Sequence, residues 1–221
     1  MTPEGYSLIS SDRLGCIFIH VPKCAGVAVA TSLFGNLGGG HLRAKDYQTI
    51  YSPPEYARLF KFTFVRNPWD RLASAYSFLK SGGMNAYDRA FADRHLSRYD
   101  TFEAFVTDWV NPQNVRRYYH LQPQVHFLCV DGRPSRLDFV GLFENLAEDF
   151  AVICQHLGVK AELAFLNRTK GERVSYQSQY TERMIRIVAQ VYAQDVALLG
   201  YTFDNSSLSQ QLAVRGNARS E

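Results

Sequence analysis

The segment that most constrains the fold is IFIHVPKCAG, which runs from Ile17 to Gly26. Its first residues are apolar, and most are β-branched or aromatic, which predicts a buried strand over residues 16–20. The strand is followed by Lys23, by a turn of small residues and by a helix predicted over residues 27–34. A chain that passes from a buried strand directly into a helix is typical of a sheet covered by helices.

The rest of the chain continues this alternation. Residues 41–51 fit neither the helix period nor the strand period, and Pro53 and Pro54 open a short helical stretch. We predict an α/β fold of three layers, with a central, mostly parallel sheet flanked by helices, as one domain over residues 1–203. The polar residues 204–221 are predicted to form a loosely ordered tail. Further strands are predicted over residues 61–65, 124–130 and 138–143, and helices over residues 68–80, 85–96, 102–109, 146–157 and 181–199.

Composition narrows the classes of partner. A net charge of +3 over 221 residues is too small to indicate a nucleic-acid surface, although it is compatible with a local basic pocket for an anionic ligand. No apolar run reaches the roughly 18 residues of a membrane helix, so no membrane span is predicted. The N-terminal residues MTPEGYSLISSDR lack the pattern of a signal peptide, which leads us to expect a cytoplasmic protein with reduced cysteines. Composition does not predict the oligomeric state.

Lys23 lies where an anion site is expected in this class of fold. At the carboxyl ends of parallel strands, the backbone N–H groups of a turn and the positive end of the following helix bind phosphate. A lysine in the turn adds a mobile point charge that can follow charge building up on a transferred group. A solvated surface lysine is the alternative, and this stretch alone leaves both interpretations open.

The second predicted strand supplies another anion-binding candidate. Arg66 lies just after the strand-like residues KFTFV, as Lys23 lies after the strand-like residues IFIH. Asn67 is a good N-cap, Pro68 suits the first helical position, and Ser74 falls about two turns into the helix. The pattern GxxxxGK[ST] is absent, which disfavours a nucleoside triphosphatase or a kinase that holds magnesium at the loop. No magnesium ion is therefore expected at this loop.

Together these stretches resemble a known family. IFIHVPKCAG is similar to the 5′-phosphosulfate loop, and FTFVRNPWDRLASAY to the 3′-phosphate motif, of sulfotransferases that use 3′-phosphoadenosine 5′-phosphosulfate, PAPS. HLQPQVHFLCV, LDFVGLFENLAEDF and LNRTKGERVSY resemble the carbohydrate branch, which contains the heparan sulfate and chondroitin sulfotransferases, so the resemblance extends from Gly15 to Phe203. It implies a P-loop-like fold. It also implies in-line transfer of a sulfuryl group from PAPS to a hydroxyl of a glycan or small-molecule acceptor, leaving 3′-phosphoadenosine 5′-phosphate and requiring no metal.

The resemblance also implies roles for single residues. Lys23 matches the lysine that contacts the phosphosulfate and stabilises charge on the leaving phosphate, while Arg66 and Ser74 match the pair that binds the 3′-phosphate. Lys170 and Gly171 either match a loop that closes over the nucleotide or form an exposed basic turn. The residues that match the rest of the phosphosulfate loop are Cys24, Ala25, Gly26, Val27 and Ala28.

A histidine is expected to deprotonate the acceptor, because its pKa lies near neutrality. His41, in GGGHL, resembles the general base of several carbohydrate sulfotransferases and is the first candidate. His120, in YYHLQPQ, is the second, and it is an alternative ligand of the acceptor or nucleotide. His20 is expected to be structural at the strand end, and His126 to be a buried core histidine.

Val27 and Ala28 depart from the family pattern, which commonly has hydroxyl residues after the lysine. Their absence leaves open a nucleotide-binding protein of the same fold with weak or no sulfotransferase activity. The acceptor is not identified by any motif. Its contacts are expected from residues 82–100 and 111–120, where several aromatic side chains occur.

Overall fold

The computed structural model describes residues 5–163 and 175–217. The strands in these residues are β1 (Cys16–Ile19), β2 (Phe60–Val65), β3 (Cys129–Val130), β4 (Arg133–Pro134) and β5 (Phe139–Leu142). The helices are α1 (Ile9–Leu14), α2 (Gly26–Phe34), α3 (Ala44–Ile50), α4 (Pro53–Arg58), α5 (Pro68–Lys80), α6 (Ala86–His95), α7 (Phe102–Ala104), α8 (Val125–Leu128), α9 (Leu146–Leu157), α10 (Glu182–Val191), α11 (Ala193–Leu199) and α12 (Leu208–Asn217). A π-helical turn, Phe105–Trp109, continues α7, and short 3₁₀ turns lie at Val115–Arg117, Phe143–Asn145 and Tyr176–Gln179.

The packing of the chain divides these residues into two units. The first contains residues 5–66 and 124–163, and the second contains residues 67–123 and 175–217. The single domain over residues 1–203 stays a prediction. Within the described ranges, no helix is both long enough and apolar enough to cross a membrane.

The first unit is built on a parallel sheet of three strands in the order β1-β2-β5. Phe18 of β1 lies opposite Phe62 of β2, which in turn lies opposite Phe139 of β5. The rings of Phe18 and Phe62 stack with 5.0 Å between their centroids. All of β1 is buried, which explains its continuous apolar sequence. The predicted α/β class is confirmed as a parallel sheet with helices.

The helix after β1 forms although two of its early residues, Val27 and Val29, favour strands. Val29, Ala30 and Phe34 are buried at helical spacing and form its apolar face. Burial of this face outweighs the β-propensity of the valines, and the predicted helix is confirmed.

Residues 41–51, which the sequence left ambiguous, contain α3. Arg43 N donates to the Asp46 carboxylate at 2.8 Å and so closes the first turn. Tyr47 is buried and donates its hydroxyl to the Phe18 carbonyl oxygen at 3.0 Å. This bond ties α3 to β1, a tertiary contact that the local sequence does not reveal.

The strand predicted over residues 124–130 is wrong for most of its length. Residues 125–128 form α8, and only β3 pairs, in an antiparallel hairpin with β4. Asp131 and Gly132 have φ values of 48° and 76°, which suit the tight hairpin turn that their sequence predicts. Because the chain is helical here, His126 is exposed rather than buried, and its Nε2 lies 3.1 Å from Arg43 Nη1.

In the second unit, α5 has the predicted bounds and the predicted cap. The Asn67 carboxamide accepts a hydrogen bond from Trp69 N at 3.0 Å. The Trp69 carbonyl oxygen accepts a hydrogen bond from the Tyr180 hydroxyl at 2.8 Å, and the Trp69 indole N–H donates to the Ile185 carbonyl oxygen at 3.1 Å. The C-terminal part of the chain is thus fixed to the start of α5.

One C-terminal prediction differs from the structure, and the loosely ordered tail stays a prediction. The helix predicted over residues 181–199 is interrupted between α10 and α11 at Tyr192, which is buried and donates its hydroxyl to Leu121 at 2.7 Å. The predicted loose tail contains α12. Gln211 of this helix donates to the Leu199 carbonyl oxygen at 2.7 Å.

Candidate active site

The turn between β1 and α2 has a strained backbone. Lys23 and Ala25 have φ values of 69° and 62°, in the left-handed region that residues with a Cβ rarely adopt. Such strain costs about 1–3 kcal/mol per residue and is concentrated at sites that bind ligands. Successive N–H groups of such a turn can converge on one concave side, which makes an anion-binding site.

The start of α2 adds further donors to this turn. Its N-cap is Ala25, whose side chain has no acceptor and so leaves the N–H groups of Gly26, Val27 and Ala28 uncapped. The helix is nine residues long, and its N-terminal end is positive. Lys23 is half-buried beside it. The predicted loop therefore offers backbone donors and one ammonium group instead of side-chain hydroxyls.

Position 26 has to be glycine because the ring of His20 occupies the space that a side chain would need. A Cβ at Gly26 would overlap this imidazole, which lies against the helix backbone. His20 is buried and stacks on Phe18 with 5.5 Å between ring centroids, which agrees with its predicted structural place at the strand end. The ring of His20 thus holds the first turn of α2 close to β1.

His41 lies next to His20, with 4.3 Å between the ring centroids. Its Nδ1 is 3.0 Å from the carbonyl oxygen of His20. A carbonyl oxygen only accepts hydrogen bonds, so Nδ1 carries the hydrogen and Nε2 is the basic atom of the ring. This tautomer is the one that a general base acting through Nε2 requires.

Arg66 is buried at the carboxyl end of β2. Its Nη1 donates to the carbonyl oxygen of Lys23 at 3.0 Å, and its guanidinium carbon lies 4.0 Å from the centre of the Phe143 ring. The hydrogen bond joins the two predicted anion-binding segments. The guanidinium group is therefore positioned both by the Lys23 carbonyl oxygen and by the Phe143 ring.

Gln124 is a site residue that the sequence did not reveal. It is fully buried, its carboxamide oxygen accepts from Arg66 N at 3.0 Å, and its carboxamide nitrogen donates to the Arg66 carbonyl at 2.8 Å. The same oxygen accepts from the Cys24 thiol at 3.4 Å. Its one signal in the sequence is a polar amide at the head of an apolar run, because a buried amide needs partners.

The remaining described candidates, Ser74 and His120, belong to the second unit. Ser74 is half-buried on α5. His120 is buried, and its Nε2 lies 3.3 Å from a carboxylate oxygen of Asp88. Lys170 and Gly171 lie outside the described residues, and their role stays a prediction.

Asp88, another residue that the sequence did not reveal, is the centre of a polar cluster in the second unit. Besides its contact with His120, it accepts the hydroxyls of Tyr118 and Tyr119 and the Met84 N–H. Burial favours the neutral acid, but the hydrogen bonds from His120, Tyr118 and Met84 outweigh it and hold the pKa of Asp88 well below its usual range. Burial and the bond to Asp88 raise the pKa of Tyr118.

No three His, Cys, Asp or Glu side chains of the described ranges are grouped so that they could hold a metal ion. A metal-free reaction stays a prediction. The donors at the β1–α2 turn, which are N–H groups and an ammonium group, suit an anion.

Comparison with known proteins agrees with this geometry. A family profile described as "Sulfotransferase family" matches residues 6–202, and the chain belongs to this family. Carbohydrate sulfotransferase 14 of Danio rerio is 28% identical over 90% of this chain and 63% of its own length. Carbohydrate sulfotransferase 11 of Mus musculus is 29% identical over 70% of this chain and 51% of its own, and carbohydrate sulfotransferase 9 of Homo sapiens is 26% identical over 74% and 42%.

The chain spans less than two thirds of the length of these curated relatives. No solved structure matches it.

Proposed function

We propose that this chain transfers a sulfuryl group from PAPS to a hydroxyl of a carbohydrate, within a P-loop-like three-layer fold. The observation that carries the proposal is the β1–α2 turn of a sulfotransferase-family chain, with its left-handed Lys23 and Ala25 and with an N-cap, Ala25, that makes no side-chain hydrogen bond to the helix. The printed names of the relatives support a sugar acceptor. A cytoplasmic location stays a prediction from the sequence.

PAPS supplies a sulfuryl group on a phosphate leaving group, so the protein has to bind and stabilise anions. The N–H groups of residues 24–28 would hold the 5′-phosphosulfate. Lys23 would stabilise the negative charge that develops on the departing phosphate. Arg66 has a fork of five donors that suits the 3′-phosphate, and the Ser74 hydroxyl is the second donor that we assign to it.

The acceptor oxygen must lose its proton as it attacks sulfur. His41 Nε2 would take this proton while the new oxygen–sulfur bond forms and the bond between sulfur and the phosphate oxygen breaks. The carbonyl oxygen of His20 would stabilise the resulting imidazolium through the Nδ1–H that it already accepts. His120 remains the second candidate for this role.

Val27 and Ala28 favour a second candidate function, a nucleotide-binding protein of the same fold with weak or no transfer. Each missing hydroxyl removes a donor worth about 0.5–1.5 kcal/mol to the bound phosphosulfate. Both residues lie in the first turn of α2, where their backbone N–H groups remain available to the anion.

The test is a calorimetric titration with 3′-phosphoadenosine 5′-phosphate, using 5′-AMP as the control that lacks the 3′-phosphate. Tight binding of the first nucleotide alone, followed by transfer from PAPS to a saccharide detected by mass spectrometry, is the expected result. Binding without transfer to any of a panel of saccharides would favour the second candidate. If neither nucleotide binds, both proposals fail.

A further inference from the structure

The ring of His20 belongs to a stack of aromatic rings that begins in the core of the sheet. Phe18 and His20 are two residues apart, so their side chains lie on the same face of β1 and its continuation. The Phe18 ring stacks on Phe62 of β2 at 5.0 Å between centroids and on His20 at 5.5 Å, with the planes inclined by 15° and 9°. His20 is 5% exposed. The core of the sheet therefore fixes the plane of the His20 ring.

His41 lies at the outer end of this stack. The centre of its ring is 4.3 Å from that of His20, and the two planes are inclined by 56°. His41 is half-buried, whereas Phe62, Phe18 and His20 are buried. The stack thus leads from the core of the sheet to a histidine that is partly open to solvent.

The hydrogen bond of His41 does not by itself fix the direction of Nε2. The bond between Nδ1 and the carbonyl oxygen of His20 selects the tautomer. The backbone before His41 is held in a tight turn, because Gly40 has a φ of 61° and donates to the Leu37 carbonyl oxygen at 3.1 Å. A carbonyl oxygen accepts hydrogen bonds over a broad range of angles, so the His41 ring can still tilt about this bond. The His20 ring packs beside it and limits that tilt.

The His20 ring also lies against the β1–α2 turn. A Cβ at Gly26 would overlap Cδ2 and Nε2 of this ring, which shows that both atoms lie close to the backbone at the first residue of α2. One imidazole therefore contacts both the turn that offers donors to an anion and the histidine that is the first candidate for the base.

We propose that His20 is a positioning residue for sulfuryl transfer, and that its ring sets the direction of His41 Nε2 relative to the β1–α2 turn. In-line transfer needs the acceptor oxygen, the sulfur and the leaving oxygen in a line, and a misplacement of about 1 Å can lower the rate about a hundredfold. The inference rests on the proposed function, in which His41 takes the acceptor proton. It adds a role in the reaction to a residue whose sequence position predicts only a structural one.

The test is a double-variant cycle between His20 and His41. It compares the native protein with His20→Ala, His41→Asn and the variant that carries both changes. His20→Ala removes the ring and keeps the backbone carbonyl that His41 contacts. The control is His156→Ala, which removes an exposed histidine ring that stacks at 3.9 Å on Phe60, a phenylalanine of the same sheet.

Three quantities are measured for each protein. Single-turnover kinetics with PAPS and the best acceptor of the saccharide panel give the transfer rate, calorimetry gives the Kd of 3′-phosphoadenosine 5′-phosphate, and thermal unfolding shows that the protein is folded at the assay temperature. His20→Ala should lower the transfer rate about 10–100-fold and weaken nucleotide binding by a smaller factor, because the backbone donors of the turn remain. His156→Ala should change both values less than about twofold, as expected for a distant site.

The cycle separates positioning from a purely structural role. If His20 acts through His41, His20→Ala should change the transfer rate less than about threefold when His41 is already asparagine. A purely structural effect would instead lower the rate by the same factor in both backgrounds.

A second readout needs no acceptor. Carbon-13 relaxation of Cε1 in the His41 ring, measured by NMR, reports the motion of the ring on the ps–ns timescale. In His20→Ala the order parameter of this ring should fall, while the ring nitrogen shifts should still place the hydrogen on Nδ1, because the His20 carbonyl remains. His156→Ala should match the native protein in both respects.

Three results would overturn the inference. They are a native transfer rate in His20→Ala, an equal loss of rate with and without His41, and an unchanged order parameter of the His41 ring. His20→Leu, which fills much of the space without a flat ring, replaces His20→Ala if that variant does not fold. A native protein that transfers no sulfuryl group from PAPS contradicts the proposed function, whereas a looser His41 ring in His20→Ala would still support the positioning of His41 by His20.

Discussion

Gln124 holds the backbone of Arg66 by both of its hydrogen-bonding groups, with Arg66 N at 3.0 Å and the Arg66 carbonyl oxygen at 2.8 Å. The same carboxamide oxygen accepts from the Cys24 thiol. Arg66 in turn donates from Nη1 to the Lys23 carbonyl. The end of β2 and the turn after β1 are therefore joined at two places, and the position of the candidate phosphate ligands depends on both.

Replacing Gln124 by Leu should affect both folding and nucleotide binding. The change leaves the buried N–H and C=O of Arg66 without these partners, which should lower the free energy of unfolding by about 2–4 kcal/mol. The affinity for 3′-phosphoadenosine 5′-phosphate should fall in parallel, because Arg66 loses its orientation. Denaturant unfolding and calorimetry measure the two effects. Gln155→Leu, on the exposed face of α9, is the control. Equal effects of both changes would show that the contacts of Gln124 with Arg66 do not contribute to stability or nucleotide binding.

Gly26→Ala should destabilise the protein although helix propensity favours alanine by about 1 kcal/mol. The new Cβ would overlap the His20 ring, and forcing it aside should cost about 1–3 kcal/mol. Thermal unfolding of Gly26→Ala, His20→Ala and the double variant tests the cause. If the clash is responsible, the double variant is more stable than the sum of the two single changes predicts. Additive effects would contradict the clash.

Lys23→Ala should reduce turnover more than nucleotide affinity. The ammonium group acts mainly on charge that develops in the transition state, so we expect kcat to fall about a hundredfold or more while the Kd of the product nucleotide changes less. Transfer kinetics and calorimetry give the two values. Lys45→Ala removes an exposed lysine paired with Asp131 and should leave both unchanged. Equal loss of kcat and affinity after Lys23→Ala would assign Lys23 to binding alone.

His41→Asn should separate base catalysis from structure. The asparagine amide can still donate to the His20 carbonyl, but it has no basic atom in place of Nε2. We expect kcat to fall about 10²–10⁴-fold with unchanged nucleotide affinity and unchanged unfolding. Single-turnover kinetics with a true acceptor make the measurement. Full turnover by this variant would exclude His41 as the base and direct the same experiment to His120.

Asp88→Asn should change the pH dependence of stability. The pKa of Asp88 is depressed in the folded protein, so the ionised carboxylate stabilises the fold at every pH above its ordinary value of about 3.9. This contribution is lost as the pH falls from there toward the folded-state pKa. The variant should be less stable by about 1.5–3 kcal/mol at pH 7, and its stability should decline less on acidification. The measurement is the melting temperature of each protein from neutral to acid pH, and Asp93→Asn, an exposed change on α6, is the control. Matching curves for the two variants would contradict a stabilising role for the ionised Asp88 carboxylate.

Much of the fold is predictable because its signals are local. The apolar run of β1 follows from burial of both faces of a parallel strand. The start of α5 follows from Asn67 and Pro68, which act within a single turn. Lys23 and Arg66 are identifiable for a related reason, since Arg66 directly follows a predicted strand and Lys23 follows another after two residues.

The errors arise where a distant contact overrides the local pattern. Residues 125–128 have strand-like composition but form a helical turn after Gln124, whose side chain is held by Cys24 in the turn after β1 and by Arg66 at the end of β2. The break at Tyr192 likewise accompanies a hydrogen bond from its hydroxyl to the carbonyl oxygen of Leu121, which is 71 positions away in the chain. Neither partner can be read from the neighbouring residues.

By itself, the sequence determined the alternation of strands and helices, the resemblance to sulfotransferases and the positions of Lys23, His41 and Arg66. These properties depend on periodicity, caps and short motifs, which act over a few residues. Only the tertiary structure decided the left-handed turn at Lys23, the tautomer of His41, and the partners of Gln124 and Asp88. Those features arise from contacts between residues that are far apart in the chain, and burial of their polar groups is tolerated only because the whole fold supplies a partner for each.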